Sequence, residues 1–117
     1  MGDRANILVK KGEEQVCLYT HWAGSELPET LQKALQRGEQ RWNDFQYLTR
    51  IIFCEMIARD ELEGLTGYGI TQVPHDGSDR VIQVNVDAQT VQTPRKDAVS
   101  FADFIKREAT WGNEWTD

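Results

Sequence analysis

The sequence predicts an α+β fold with a mainly antiparallel sheet of about five strands, two central helices packed on that sheet and a C-terminal helix. Two β-rich segments near the start are separated by a short polar turn, which is typical of a hairpin. Two segments with helical periodicity follow them, and an alternating strand pattern and a last helix signal complete the chain. Because strands and helices do not alternate along the chain, this order favours antiparallel pairing.

The hairpin is predicted over residues 5–10 and 15–22, with a Lys-Gly-Glu-Glu turn between them. Ile7, Leu8 and Val9 give the first strand its β-rich character. Both faces of the second strand carry apolar side chains, which indicates a strand inside the sheet or covered on both sides.

Two helices are predicted next. The first covers residues 28–37, because Pro28 suits a first helical turn and Gly38 suits the C-terminal cap. The second begins near Asn43, which with Gln46 resembles a capping box.

The body of the second helix, residues 47–58, is apolar on almost every side, so we expect it to be the core helix on the sheet. Arg50 and Glu55 are its polar exceptions. We expect Glu55 to pair with Arg50 or, one turn later, with Arg59.

Shorter elements are predicted in the second half of the chain. Residues 68–73 have the composition of a third strand, and residues 82–86 alternate as a half-buried strand does. A short strand follows at Val91. Ser100 is predicted to cap the last helix, in which Phe104 is apolar.

The composition indicates one globular domain over residues 1–117, with residues 109–117 as a partly flexible tail that contains Trp111 and Trp115. Apolar residues make up 39% of the chain and charged residues 27%, as in ordinary globular proteins. The net charge of −6 argues against binding to extended nucleic acid, which needs a concentrated basic face.

The cysteines and the apolar runs indicate a cytoplasmic protein. Cys17 and Cys54 each lie in an apolar segment, so we expect buried, reduced thiols rather than a disulfide. No apolar run is long enough to cross a membrane, and the first residues do not resemble a signal peptide. The scattered histidines and cysteines predict no metal site, and no cofactor motif is present.

The segment of residues 19–24 is the main candidate for a ligand site, since it brings a hydroxyl, an imidazole and an indole to the end of a predicted strand. Arginine can grip phosphate or carboxylate with two hydrogen bonds, and an indole can stack on a base. The sequence therefore predicts a non-enzymatic binding protein for a small anionic ligand such as a nucleotide. The predicted ligand-binding residues are Arg4, Asn6, Thr20, His21, Trp22, Arg41, Trp42 and Arg50.

The same residues leave two other functions open. A protein–protein interaction module or inhibitor would use the acidic surface and the indoles of Trp111 and Trp115, because exposed indoles often mark partner-binding surfaces. A small hydrolase or transferase would use His21 as its general base, because histidine titrates near neutral pH. The sequence decides neither catalysis nor the oligomeric state.

The Thr-Gly-Tyr-Gly segment at residues 66–69 is predicted to permit a bulge or a close approach of the backbone. It lacks the Lys and Ser or Thr that end a phosphate-binding loop. It also lacks the strand-to-helix setting of such a loop.

Three motifs give the chain a resemblance to a family. They are Gly-Asp-Arg-Ala-Asn at residues 2–6, Tyr-Thr-His-Trp at residues 19–22 and Thr-Gly-Tyr-Gly-Ile at residues 66–70. With these motifs the chain resembles a small family of uncharacterised proteins found in bacteria, archaea and phages, for which no activity is established. The resemblance implies that the motif residues act together around one site, and its phage members suggest a role in host–phage conflict.

Overall fold

The structure, a computed structural model, describes residues 2–58, 67–74, 80–94 and 96–111. Six strands form one sheet in the order β3-β2-β1-β4-β5-β6. The strands are β1 (Ala5–Lys11), β2 (Glu14–Thr20), β3 (Tyr68–Thr71), β4 (Val81–Asn85), β5 (Thr90–Gln92) and β6 (Val99–Ser100). The helices are α1 (Leu27–Arg37), α2 (Phe45–Met56) and the short α3 (Phe101–Phe104). The predicted α+β class is confirmed, with one strand more than the sequence indicated.

The central strand β1 pairs in two different directions. It is antiparallel to β2, where Ile7 lies opposite Leu18, as expected of a hairpin. It is parallel to β4, where Ile7 lies opposite Ile82. All other pairs in the sheet are antiparallel. The parallel pair places the starts of β1 and β4 at the same end of the sheet.

The hydrophobic core lies between α1, α2 and one face of the sheet. Alternate residues of β1 point into it because side chains along a strand alternate between the two faces. Helix α1 contributes a stripe with helical spacing. Fully buried members of this core are Ile7, Val9, Leu18, Leu31, Leu35, Leu48, Ile52, Ile82, Val84 and Phe101.

Helix α2 departs from its sequence prediction at its start. The N-cap is Asp44 and not Asn43, and the Asp44 carboxylate accepts a hydrogen bond from the Tyr47 backbone N–H at 3.1 Å. An N-cap side chain accepts a hydrogen bond from a backbone N–H in the first turn of the helix. Asp44 lies three residues before Tyr47 and can make this bond, whereas Asn43 lies one residue too early.

The body of α2 lies on the sheet as expected, but it buries one face and not almost every side. Its buried residues are Leu48, Ile52 and Met56, which are spaced by four residues and form a single face. Cys54 is exposed on the other side, so the expectation of a buried thiol is wrong there, whereas Cys17 is buried as expected. Glu55 pairs with Arg37 of α1 across 2.5 Å, and not with Arg50.

Replacing Asp44 by Ala should lower the free energy of unfolding by about 1 kcal/mol, because an N-cap side chain satisfies a backbone N–H that has no helical partner. The exposed Asn43, next to it, provides the matched control, and Asn43→Ala should change the stability by less than about 0.5 kcal/mol. Urea denaturation of the two variants measures both values. Equal losses of stability in the two variants would show that the Asp44 side chain does not cap α2.

The chain after α3 packs onto the body of the protein. Ala109 and Trp111 are buried, and the Trp111 indole N–H donates a hydrogen bond to the Gly24 carbonyl at 2.9 Å. The predicted flexible tail therefore does not include residues 109–111, and Trp111 is not an exposed partner-binding residue. Trp115 lies outside the described residues. In the described ranges, none of the helices has the length and apolar character that a membrane crossing requires.

Candidate functional site

The start of β1 and the end of β2 continue their pairing beyond the sheet. The Asp3 N–H donates to the His21 carbonyl at 2.7 Å, and the Gly24 N–H donates to the Asp3 carbonyl at 2.7 Å. The His21 N–H donates to the Gly67 carbonyl at 2.8 Å. This bond holds the residue just before β3 against the same end of the hairpin. We call the group Asp3, His21, Trp22, Gly24, Gly67 and Arg80 the strand-end cluster.

Arg80 is the charged centre of the strand-end cluster. Its side chain is 12% exposed, and its Nη1 lies 2.6 Å from a carboxylate oxygen of Asp3. Its Nη2 donates to the Ser25 hydroxyl at 3.3 Å, and its guanidinium lies 5.3 Å from the ring centroid of Trp111. One cation therefore connects β1, β4, the turn before α1 and the C-terminal segment.

The Asp3 carboxylate is stabilised in its charged form. Partial burial alone would raise its pKa, but the backbone N–H of Ser25 and the Arg80 side chain both donate hydrogen bonds to it. These bonds and the charge of Arg80 outweigh burial and lower the pKa of Asp3 below its usual value. The ion pair thus contributes to the native state at neutral pH.

His21 is held between two neighbours. Its Nδ1 forms a hydrogen bond with the Tyr19 hydroxyl at 2.7 Å, and the imidazole tautomer decides which of the two groups donates. Its Nε2 faces Gly2, where a Cβ atom would come within 2.8 Å of that nitrogen. Both ring nitrogens therefore face groups of the protein.

Trp22 is the exposed aromatic residue of the strand-end cluster. Its side chain is 58% exposed, although the ring is fixed from two sides. It packs edge-on against His21 with a centroid distance of 4.8 Å, and it lies so close to Gly67 that a Cβ there would be 2.8 Å from the ring. Gly67 has φ +107°, a region that favours glycine, so the predicted close backbone approach is confirmed at this residue.

The outer edge of β3 is open next to Trp22. Ile70 is 63% exposed and Val73 is 60% exposed, and Thr71 and Gln72 between them are exposed too. Among the described residues, no strand pairs with β3 on the side away from β2. Residues 67–74 contain no charged side chain, although proteins commonly protect an edge strand with charges.

A groove lies where β3 ends. It has a volume of about 580 Å³, and the Gln15 side-chain amide holds one wall in place by donating to the Gln72 carbonyl at 2.5 Å. Apolar and acidic side chains meet there. The groove is lined by Glu13, Glu14, Gln15, Phe45, Gln72 and Val73.

Two predicted ligand residues are buried inside the structure. The Thr20 hydroxyl accepts a hydrogen bond from the Ala23 backbone N–H at 3.2 Å, which shapes the turn after β2. The Asn6 side chain is buried on the sheet face opposite the helices and accepts a hydrogen bond from the Cys17 thiol at 3.3 Å. The carbonyl of Arg4 accepts a hydrogen bond from Arg80 at 3.3 Å. Arg4, Asn6 and Thr20 thus lie at the same end of the hairpin as His21 and Trp22, and their role as ligand residues stays a prediction.

The structure does not bring the helical residues to this place. Arg41 and Trp42 follow the C-terminal end of α1, whereas residues 19–22 lie before its N-terminal end. Helix α1 has 11 residues and is about 16 Å long, so the two groups lie beyond its opposite ends. Arg50 is exposed on α2, where its Nη1 lies 3.9 Å from the Cys54 sulfur.

Arg41 and Trp42 have local partners instead. The Trp42 indole N–H donates to the Leu35 carbonyl at 2.9 Å, and its ring packs edge-on against Phe101. The Arg41 guanidinium lies 4.7 Å from the ring centroid of Tyr47. Trp42 therefore contributes to the core, and Arg41 belongs to the surface at the start of α2.

The sequence interpretation missed Arg80 and the outer edge of β3. A signal for Arg80 does exist, because it lies two residues before a predicted strand, as Asp3 does before another. Only the parallel pairing of β1 with β4 makes the two residues neighbours. The uncharged run of residues 67–74 was visible as well, but it is equally typical of an interior strand.

Comparisons of the chain with protein-family models, with curated proteins and with solved structures find no match. The family resemblance of the three motifs therefore stays a prediction.

Proposed function

We propose that the protein is a non-enzymatic interaction protein that pairs an extended segment of a partner protein with the outer edge of β3. The observation that carries this proposal is the run of exposed, uncharged residues from Ile70 to Val73, which covers the end of the terminal strand β3 and the two residues after it. An edge of this kind offers backbone N–H and C=O groups to a further strand, which is the usual basis of recognition by strand addition.

The edge is ready to bind because β3 is already paired on its inner side. Ile70 lies opposite Leu18 of β2, and Gly69 lies opposite Tyr19. Leu18 and Tyr19 are buried, so the inner strand cannot shift without disturbing the core. A partner segment would add its hydrogen bonds to a strand that needs no rearrangement, which lowers the entropic cost of binding.

Side-chain contacts are available at both ends of the edge. Trp22 lies beside Gly67 at the start, and the groove beside Val73 lies at the end. β3 covers Tyr68–Thr71, a length of about 10 Å, and the segment from Gly67 to Val73 extends past both of its ends. An added strand of similar length would meet an exposed indole at one end and an apolar, acidic groove at the other, and Trp is frequent among residues that dominate binding energy.

The other two hypotheses receive less support from the geometry. A nucleotide pocket needs an arginine that can turn to a phosphate near Trp22, but α1 separates Arg41 from Trp22, and Arg80 is engaged by Asp3 and Ser25. A hydrolase needs a general base within hydrogen-bond reach of a substrate proton. The Nδ1 of His21 is engaged by the Tyr19 hydroxyl and its Nε2 lies next to Gly2, which leaves little room for a substrate at the imidazole.

Selection of random 12-residue peptides on the full-length protein tests the proposal. We expect selected peptides to bind in an extended form and to protect backbone amides of residues 69–72 from hydrogen exchange. Ile70→Lys should weaken their binding at least about tenfold, because a Lys on the edge opposes strand addition.

Tyr47→Lys is the matched control, since Tyr47 is 49% exposed but lies on α2 and lines neither β3 nor the groove at its end. It should leave peptide binding unchanged. Selected peptides that bind the Ile70 and Tyr47 variants equally well, or that protect no amide of β3, would overturn the proposal. A selection that yields no peptide above the level of an unrelated protein would overturn it too.

A further inference from the structure

Trp22 and the groove beside Val73 lie at opposite ends of the outer edge of β3. The Trp22 ring lies against Gly67, which comes just before the strand, and Val73 lines the groove just after it. Ile70 is three residues from Gly67 and three residues from Val73. The indole and the groove are therefore placed symmetrically about the exposed Ile70.

The backbone of β3 offers hydrogen-bonding groups to the open side at Ile70. The Gly67 carbonyl faces β2, because it accepts a hydrogen bond from the His21 N–H. Successive residues of an antiparallel ladder direct their N–H and C=O groups to alternate sides, so those of Gly69 face β2 as well. The N–H and C=O groups of Tyr68 and Ile70 therefore face away from β2.

A second copy of the chain can pair with these groups through the same residues. At a twofold axis the same patch is used on both copies, so residue i contacts residue j and residue j contacts residue i. With the axis at Ile70, the two Ile70 residues exchange both backbone hydrogen bonds, and their side chains lie next to each other on one face of the sheet. Each isoleucine then loses contact with water against an identical side chain.

The same register brings the two ends of the edge together. The Gly67 end of one copy comes to the Val73 end of the other, since each residue is three positions from the axis. Trp22 of each copy thus comes beside the groove of the other copy.

The groove has the chemistry that an indole needs. Phe45 and Val73 offer an apolar surface to the ring, and the carboxylates of Glu13 and Glu14 can accept a hydrogen bond from the indole N–H. A buried tryptophan needs both kinds of contact, because its ring is apolar and its N–H is a donor.

The distribution of charge permits the two edges to approach. Each copy has a net charge of −6, so two copies repel each other in general. Residues 67–74 carry no charge, however, and the edges therefore meet without like charges between them. Glu13 and Glu14 of one copy lie at the opposite end of the paired edge from the same residues of the other copy.

We infer that a second copy of this chain covers the outer edge of β3 when no partner segment is bound. The two β3 strands pair antiparallel about Ile70, and Trp22 of each copy enters the groove of the other. The inference rests on the proposed function, because it uses the same open edge and adds that a partner segment displaces the second copy. The paired strands are short, so the dimer is weak and exchanges readily.

Disulfide trapping tests the register in the full-length protein. With Cys54→Ser removing the exposed native thiol, Ile70→Cys should form a covalent dimer with oxidised glutathione. The paired α-carbons would lie about 5.5 Å apart, which is within disulfide range. Val73→Cys is the matched control, because Val73 is similarly exposed but the two Val73 residues would lie at opposite ends of the paired edge. It should form at least about tenfold less covalent dimer on a non-reducing gel.

Sedimentation equilibrium measures the contribution of Trp22. The wild type should change from monomer to dimer between about 10 μM and about 1 mM, the range expected of a small interface. Trp22→Ala should weaken the dimer at least about tenfold. Tyr47→Ala, which removes an exposed aromatic side chain from α2, should leave the dimer unchanged.

The outcomes separate this inference from the proposed function. A wild type that is monomeric at about 1 mM, equal trapping of the Ile70 and Val73 variants, or a Trp22→Ala dimer as strong as that of the wild type would overturn the second copy as occupant. Peptides that protect residues 69–72 would then leave the proposed function standing. Trapping through Ile70 without any selected peptide would instead support the second copy and overturn the proposed function.

Discussion

Replacing Gly24 by Ala should lower the free energy of unfolding by about 3 kcal/mol, one of the two largest effects we expect for a single substitution. A Cβ atom at this position would lie 2.5 Å from the Asp3 carbonyl oxygen and 2.9 Å from the carbonyl carbon of Arg4. These are backbone atoms at the start of the central strand, so no side chain can rotate to make room. Relief would require breaking the hydrogen bonds that join Gly24 to Asp3 and to Trp111.

Gly69→Ala is the matched control for this prediction. Gly69 has no positive φ, and the nearest atom to an added Cβ is in the Tyr19 ring at 4.0 Å, an ordinary contact distance. Gly69→Ala should change the free energy of unfolding by less than about 1 kcal/mol. Urea denaturation of the two variants gives the comparison. A Gly24 variant as stable as the Gly69 variant would show that the backbones of β1 and of the turn before α1 can separate easily.

The elements of the fold could be predicted from local patterns. The alternation of residues 82–86 reflects one buried face, and the hairpin reflects two strands beside a short polar turn. Ser100 was recognised as the cap of the last helix because its side chain acts within three residues. Each of these signals depends on residues that are close together in the sequence, so a short stretch of sequence is enough to recognise it.

Local patterns could not predict which distant strands pair with each other. The strand contacts of β1 with β4 join residues more than seventy positions apart, and no local periodicity encodes them. The ion pair of Asp3 with Arg80 depends on that pairing, since its members are 77 residues apart. The strand-end cluster was therefore predicted by its place at the end of β2, but its charged centre was not.

The helical arginines show why residue types alone did not define a site. Arg41 and Trp42 have the chemistry that a nucleotide site requires, but residue types carry no information on the distance between them and His21. The length of α1 decides the matter, because a helix advances about 1.5 Å per residue. Applied to the predicted helix, this rise would have indicated that Arg41 and Trp42 lie far from His21.

Arg80→Met should lower the free energy of unfolding by about 3 kcal/mol at pH 7, the second of the two largest effects. The substitution keeps much of the apolar stem but removes the charge that pairs with Asp3 and the hydrogen bond to Ser25. Arg41→Met is the matched control, because Arg41 is 55% exposed and 3.8 Å from Asp44, and it should cost less than about 1 kcal/mol. Denaturation by urea at constant pH compares them.

The pH dependence of stability gives this prediction an independent test through Asp3. Because the pKa of Asp3 is lowered in the folded protein, its stabilising effect is complete above the pKa of the unfolded chain, about 3.9. The effect is lost as the pH falls through the lowered folded pKa, since protonation then removes the partner of Arg80. Asp3→Asn should therefore be less stable than the wild type at pH 7, and the difference should shrink steadily below pH about 4. A difference that stays constant from pH 7 to pH 2 would show that the charge of Asp3 does not support the strand-end cluster.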